Sequence, residues 1–260
     1  MTVYIFDNTL DGLLTAVFDS FFRKQQDVTL LSDGEQLPLF ADEPYRIVTN
    51  SEKAERVWKG LEKHLSKDGL HMITISWLSE DHALNQPLFN FICKVFRQPA
   101  CSGIERNASD EDVLAVRNTC RRVLHEQLRM KQFIRFQKAK DGTYLAVVSP
   151  DNNVLPLITS HFQDRFNDQP WLIYDAKRHY GYYYDGKTII RITFENEASV
   201  PFSLEDGKLN ADVLSDNDQL FQKLWRTYFK AICIKERMNP KKQLSDMPRR
   251  YWKYMTEKQR

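Results

Sequence analysis

An α+β fold is the class this sequence predicts, and three observations carry it. Short apolar runs alternate with helical spacings through the first hundred residues. In the middle, Asp141-Gly142 and Asp185-Gly186 each separate two strand-like runs, the signature of antiparallel hairpins. From residue 216 onward the chain carries helical spacing and no strand signal. The expected organisation is an N-terminal strand/helix alternation over residues 1–100, a central α+β region with an antiparallel sheet and packing helices over 101–215, and a basic, aromatic helical segment over 216–260.

Taken in order, Val3-Tyr4-Ile5-Phe6 reads as a strand ended by Asp7-Asn8. Thr9 is placed to cap a helix running to about residue 24, in which Leu13, Leu14, Val17, Phe18, Phe21 and Phe22 form a wide apolar face. A second strand covers 28–31, and Asp33-Gly34 opens an irregular stretch through Pro38 and Pro44. A third strand is expected over 45–48, followed by a helix capped by Ser51 that carries Ala54, Val57, Trp58, Leu61 and Leu65. Residues 71–78 suit either a strand or a buried helix, and 84–96 read as helix. No Gly-rich phosphate loop follows any of these strands, so a nucleotide-binding Rossmann unit is not expected.

Residues 98–107, with Pro99, Ser102 and Gly103, are the expected boundary. A helix starting after Ser109 runs to about 132, with Val113, Val116, Cys120, Val123, Leu124 and Leu128 as its apolar face. Strands over 133–138 and 144–148, a helix over 155–166, and strands over 171–175, 181–184 and 188–194 complete the central region. After a polar connection, a helix over 216–238 ends at Asn239-Pro240, and a short helix begins near Pro248.

The chain has 260 residues, 42% of them hydrophobic and 28% charged, the balance of an ordinary globular protein. No run approaches the roughly 18–20 apolar residues of a membrane span, and the N-terminus lacks the basic start of a secretory signal, so a cytoplasmic protein with no membrane partner is expected. Cys93, Cys101, Cys120 and Cys233 show no C-x-x-C pairing and no histidine at zinc-ligand spacing. Reduced, mostly buried thiols are the expectation, with no metal and no cofactor.

Charge is distributed unevenly. Residues 221–260 hold twelve Lys or Arg against three acids, a local net of +9, while the whole chain is +2; residues 1–220 therefore carry about −7 (25 basic, 32 acidic). Interleaving with Trp225, Tyr228, Phe229, Tyr251, Trp252 and Tyr254 gives the pattern of a nucleic-acid interface, where cations hold phosphates and rings stack bases. On the helix over 216–238, Lys223, Arg226, Lys230 and Arg237 gather opposite an apolar face of Leu220, Phe221, Leu224, Trp225, Tyr228 and Ile232. A solvated face is the competing reading, but the arc has few acids to balance it. Further on, Lys241, Arg249 and Arg250 suit phosphate contact. The rings of Tyr251, Trp252 and Tyr254 suit either base stacking or the core. Glu236, among four bases, fits an ion-pair partner across the turn or a general acid/base.

A second basic row lies on the helix over 110–132, where Arg117, Arg121, His125 and Arg129 recur every four residues beside Arg122, long enough to follow a nucleic-acid backbone; a solvated helix face is the favoured alternative, since Glu111, Asp112 and Glu126 are nearby. The third cluster is WLIYDAKRHYGYYYDG, residues 171–186. There Asp175, Arg178 and His179 form a possible acid/base and cation constellation at a strand end, with sheet packing as the alternative for the rings. Asp7 and Asp11 bracket the first strand-to-helix turn; the helix dipole accounts for Asp11, leaving Asp7 as the functional candidate.

Residues 2–23, with FDNTLDGLLTAVF, the block WLIYDAKRHYGYYYDG and the ending WRTYFKAICIKERMNPKKQLSDMPRRYWKYMTE resemble a bacterial family of unknown function whose members are described as DNA metabolism or DNA repair proteins. Members show Tyr-Asp-Gly where this chain has Phe6-Asp7-Asn8. The resemblance implies a radical-SAM protein encoded nearby as companion, and a similar domain is sometimes fused to a uracil-DNA glycosylase-like domain; it implies no reaction. The expected function is a DNA-repair accessory that binds DNA and presents it to that companion. Phosphates would be held by Arg226, Lys230, Arg237, Lys241, Arg249 and Arg250, with Arg117, Arg121, Arg129 and Arg178 as further nucleic-acid contacts and Trp225 or Trp252 for stacking. Two rivals stand beside it: a DNA-acting hydrolase, nuclease or glycosylase-like, using Asp175, His179 or Glu236, and a protein–protein adaptor docking its basic end on the radical-SAM partner.

Overall fold

The computed structural model describes residues 2–38, 43–98, 103–194, 200–231 and 239–258, with the side chains of 216, 219, 226 and 228–231 outside that description. The fold is α+β, with two sheets. The chain divides into two compact units, Met1–Leu124 and His125–Arg260.

The first unit is built on a three-stranded parallel sheet in the order β2-β1-β3. Strand β1 (Thr2–Phe6) is central, flanked by β2 (Val28–Ser32) and the short β3 (Tyr45–Arg46). Val3, Tyr4 and Phe6 are buried, as expected of a central parallel strand. Helix α1 (Leu10–Phe22) follows, capped by the Thr9 hydroxyl, which accepts from the Gly12 N–H at 2.9 Å. The turn between them is made at Asn8, whose φ of 56° lies in the left-handed region that asparagine, after glycine, tolerates best.

Helix α2 (Ser51–His64) starts one residue earlier than expected because the Asn50 side chain, and not Ser51, accepts from the Lys53 N–H. Residues 71–78 belong to helix α3 (Lys67–Trp77), capped by Ser66, and α4 spans Asn85–Arg97. Leu13, Leu14, Val17, Leu61, Ile73 and Leu88 form the heart of this unit's core.

Helix α5 (Glu111–Phe133) runs through the division between the units. Its cap is Asp110, not Ser109: the Asp110 Oδ1 accepts from the Asp112 and Val113 N–H groups at 3.0 and 3.2 Å. The apolar face is also rotated from the sequence expectation, since Leu128 is 55% exposed and Glu126 only 2%.

The second unit holds a five-stranded mixed sheet in the order β4-β5-β6-β7-β8. The strands are β4 (Gln137–Lys138), β5 (Tyr144–Val148), β6 (Trp171–Asp175), β7 (Tyr180–Tyr184) and β8 (Ile189–Ile192). Three of the four pairings are antiparallel; β5 and β6 run parallel, in register from Tyr144↔Trp171 to Val148↔Asp175. The connection between those two strands carries a 3-10 turn (Leu155–Leu157) and helix α6 (Thr159–Arg165), long enough for the crossover that parallel pairing requires. Gly142 and Gly186, at φ 90° and 95°, make the β4–β5 and β7–β8 turns where a side chain would strain the backbone. Every residue of β6 is buried, and the sheet packs with Val200, Phe202, Leu209 and Tyr254 in its core.

Helix α7 spans Asp216–Ala231. Its expected continuation to 238 lies outside the described residues. Beyond it a further helix forms, α8 (Pro240–Asp246), because a proline in the first turn gives up no helical bond and Asn239 caps it through the Lys242 N–H at 3.0 Å. A 3-10 segment (Arg249–Tyr254) then buries Tyr251 and Tyr254. Of the four cysteines, Cys93 and Cys120 are free and buried, and burial lifts the Cys93 thiol to about 11; Cys101 and Cys233 lie outside the described residues. No described helix is long and apolar enough to cross a membrane.

Candidate nucleic-acid interface

In the second unit, the end of α5 and the C-terminal segment meet. The Arg129 guanidinium donates to the Ser245 carbonyl at the end of α8, at 3.2 Å. Lys241 and Lys242 are exposed on α8, and Lys242 pairs with Asp246 one turn on at 3.2 Å. Arg249 opens the 3-10 segment, exposed and near the Trp252 ring (6.0 Å to the centroid). Trp252 is half-buried, its indole N–H bound to the Met247 carbonyl at 3.0 Å and the Lys258 ammonium 4.8 Å from its ring. Two cations therefore stand near that ring, and a stacking base would share it with them.

Beneath these cations lies a buried carboxylate. Glu126, on the inner face of α5, accepts from the Asp151 N–H (3.0 Å), the Asn152 N–H (2.7 Å), the Asn152 side-chain amide and the Tyr251 hydroxyl (2.7 Å). The Arg250 guanidinium donates to the Tyr251 hydroxyl at 2.8 Å and stands 3.6 Å from Glu126 and 3.1 Å from Asp151. Burial is the largest single influence on Glu126 and raises its pKa, but the Tyr251, Asn152 and Asp151 donors together hold it below the ordinary glutamate value. Glu126 is therefore an anion hydrogen-bonded by neutral donors with the Arg250 cation 3.6 Å away, and it anchors the tail through Tyr251.

The same loop is gripped from the sheet side. Asp175, fully buried at the end of β6, accepts from the Lys177 and Arg178 N–H groups and pairs with the Arg178 guanidinium at 2.8 Å. Arg178 also donates to the Pro150 and Asp151 carbonyls at 3.1 and 2.9 Å, and the Lys177 ammonium to the Asp151 carbonyl at 2.8 Å. The Tyr180 hydroxyl donates to the Asn153 side chain. Burial pushes the Asp175 carboxyl up, and Arg178 pulls it partly back. His179 stands apart: it sits exposed in the β6–β7 turn at φ 55° and does not bond Asp175. Asp175 and Arg178 form a closed ion pair, with no histidine joined to it as a relay.

The remaining sequence-derived sites fall in several places. In the first unit, Arg117 donates to the Glu105 carbonyl at 2.9 Å, Arg122 pairs with Asp81 at 3.0 Å, and Arg121 is exposed. Asp7 accepts from the Thr9 N–H (3.1 Å) and from the Thr9 and Thr49 hydroxyls (2.7 and 2.8 Å). Burial raises its pKa, but these bonds outweigh it and hold the carboxyl below the ordinary aspartate value; a carboxylate so occupied ties the β1–α1 turn to residue 49. The side chains of Arg226 and Lys230, and all of Glu236 and Arg237, lie outside the described residues. Among the described residues no group of His, Cys, Asp or Glu is placed to hold a metal ion. The apolar face of α7 is open, with Leu220, Phe221 and Leu224 at 57, 65 and 55% exposure.

Glu126 and the 150–153 loop were not singled out from sequence. The signal was present: Glu126 lies three residues after Val123 and four before Met130, on the buried side of α5.

No curated protein matches the chain. A solved structure, the pGpG-specific phosphodiesterase PggH from Vibrio cholerae, aligns over 89% of this chain and 99% of its own at 10% identity, with a TM-score of 0.31, too low to bear on fold or activity. The model of a family defined by a domain of unknown function, DUF4130, matches residues 83–257, well over half of the sequence. It covers all of α5, the mixed sheet and the C-terminal segment, and by that match the chain belongs to the DUF4130 family.

Proposed function

We propose that the chain binds DNA through the C-terminal corner of its second unit and serves as an accessory in DNA metabolism, acting with a radical-SAM protein. The observation that supports this best is the bond between Arg129 and the Ser245 carbonyl, which joins two basic stretches far apart in sequence. Arg129, Lys241, Arg249 and the outer part of Arg250 then belong to one neighbourhood, and Lys241 and Arg249 have no carboxylate partner among the described residues. Such cations attract a polyanion because releasing its condensed counterions is favourable. The setting in DNA metabolism and the radical-SAM companion rest on the resemblance of the sequence blocks. Fluorescence-anisotropy titration with short single-stranded and duplex DNA tests the reading: affinity should fall steeply with salt, and no measurable binding at low salt would contradict it.

The open face of α7 favours a second reading, a protein-docking adaptor. Leu220, Phe221 and Leu224 would then sit against a partner protein, since apolar patches of this kind mark contact sites. Co-purification with the radical-SAM protein that survives nuclease and is lost in Leu224→Lys supports it; co-purification abolished by nuclease contradicts it.

A further inference from the structure

The first unit carries a cavity that none of the basic stretches reaches. It has a volume of about 360 Å³ and is lined by Asn8, Trp77, Ser79, Asp81, His82 and Asn85, among others. Asn8 lies two residues beyond the carboxyl end of β1, and Ser32, which ends β2, borders the site through Asn85 and His82.

The polar groups here are incompletely used. Asn85 is 7% exposed, and its amide nitrogen donates to the Asn8 side-chain oxygen at 2.9 Å and to the Ser32 hydroxyl at 3.4 Å. Among the described residues, the Asn85 side-chain oxygen accepts no bond and the Asn8 amide nitrogen donates none. The pair thus keeps one donor and one acceptor side by side. His82 uses only Nδ1, 3.2 Å from the Ser32 hydroxyl. Trp77 adds an aromatic wall and Leu84 an apolar one.

Two features point to a built site. Asn8 and Glu80 both line the cavity in the left-handed backbone region, at φ 56° and 54°, a conformation asparagine tolerates and a glutamate adopts at some cost. The lining also contains no lysine or arginine, and its Asp81 is paired with Arg122 at 3.0 Å. With no cation in the lining to hold an anion, a neutral ligand is the better match.

We propose that this cavity binds a nucleobase: a neutral, planar heterocycle that lies against Trp77 and meets the Asn8 donor and the Asn85 acceptor with its own acceptor and donor edge. Side-chain amides recognise base edges in this paired manner, and every base offers a face for stacking. The base is supplied either as a free nucleoside or as an unpaired base of a strand. The inference uses none of the cations of the second unit and stands or falls apart from the DNA reading.

The test uses the full chain and calorimetric titration with adenosine, guanosine, cytidine and thymidine at millimolar concentration. A parallel arm uses a short single-stranded oligonucleotide of mixed sequence. The informative variant is Asn8→Asp, which keeps the oxygen that accepts from Asn85 and tolerates the left-handed backbone but removes the donor. Asn8→Gly, free of strain at this φ, serves as the second variant, and circular dichroism confirms that both fold. At least one nucleoside should bind with little salt dependence, and both variants should weaken it about tenfold, the effect of one buried hydrogen bond. If nucleosides fail but oligonucleotide affinity drops in both folded variants, the base comes from a strand and the site stands. Nucleoside and oligonucleotide binding both unchanged in the folded variants would overturn the proposal, as would a nucleotide bound far more tightly than its nucleoside.

Discussion

Arg178 and Arg249 are both arginines set among aromatic residues in the second unit, and they end in opposite states. Arg178 has a side chain only 9% exposed, paired with the fully buried Asp175 and donating to two backbone carbonyls. Arg249 is exposed, stands 6.0 Å from the centre of the Trp252 ring, and has no acid partner among the described residues. The first guanidinium is part of the internal scaffold of the 150–153 loop, and the second keeps its charge available to solvent. Formal charge counted along a sequence does not separate these cases; the nearest acid and its burial do. Glu126 extends the contrast, because the loop stiffened by Arg178 is also where Glu126 holds Tyr251 and, through it, the tail that displays Arg249.

If that contrast is sound, Arg178→Ala should have the largest effect. It leaves the Asp175 carboxylate buried and unpaired, which costs about 3–5 kcal/mol, read as a shift in the urea unfolding midpoint. A shift no larger than that of Arg249→Ala would break the comparison. Next comes Tyr251→Phe, which removes a hydroxyl donor from a buried anion and should cost about 1.5–3 kcal/mol by the same measurement. An unchanged midpoint would show that the tail is not anchored through Glu126.

A third prediction concerns pH. Glu126 titrates below its ordinary value of 4.5, so its stabilising contribution is fully present above that value and disappears as pH falls through the folded one. Asp175, raised by burial, works in the opposite sense and is shared by both proteins compared. The stability difference between wild type and Glu126→Gln should thus be constant near neutral pH and shrink below about 4.5. A difference that grows on acidification contradicts the assignment. The smallest effect is expected for Arg249→Ala, within about 0.5 kcal/mol of wild type in stability, because an exposed cation without an ion pair supports little of the fold.

Much of this fold was legible from local chemistry. Thr9 as a cap, the glycines of the two Asp-Gly turns and the runs of β1 and β6 all specify their structure within a few residues. What the chain alone left hidden depended on distant partners. Parallel pairing of β5 with β6 is set by where α6 returns the chain, not by the strands' own composition. The apolar face of α5 was read through Leu128, although Glu126 is the buried group, because a glutamate there is tolerated only when Asp151, Asn152 and Tyr251 come from elsewhere to satisfy it. Likewise the Asp175, Arg178 and His179 constellation read from the sequence reduces in the structure to the Asp175–Arg178 pair, because His179 turns away at the β6–β7 turn. Of the site proposed for DNA, the composition of the tail was plain in sequence, and its junction with Arg129 was not.

The most direct test is the salt dependence of DNA binding by wild type and by the double variant Lys241→Glu, Arg249→Glu. Each phosphate contact contributes roughly 0.9 to the slope of log affinity against log salt for duplex DNA. The account predicts a shallower slope in the variant, by about 2, with the unfolding midpoint nearly unchanged. An identical slope and affinity in a folded variant would contradict it.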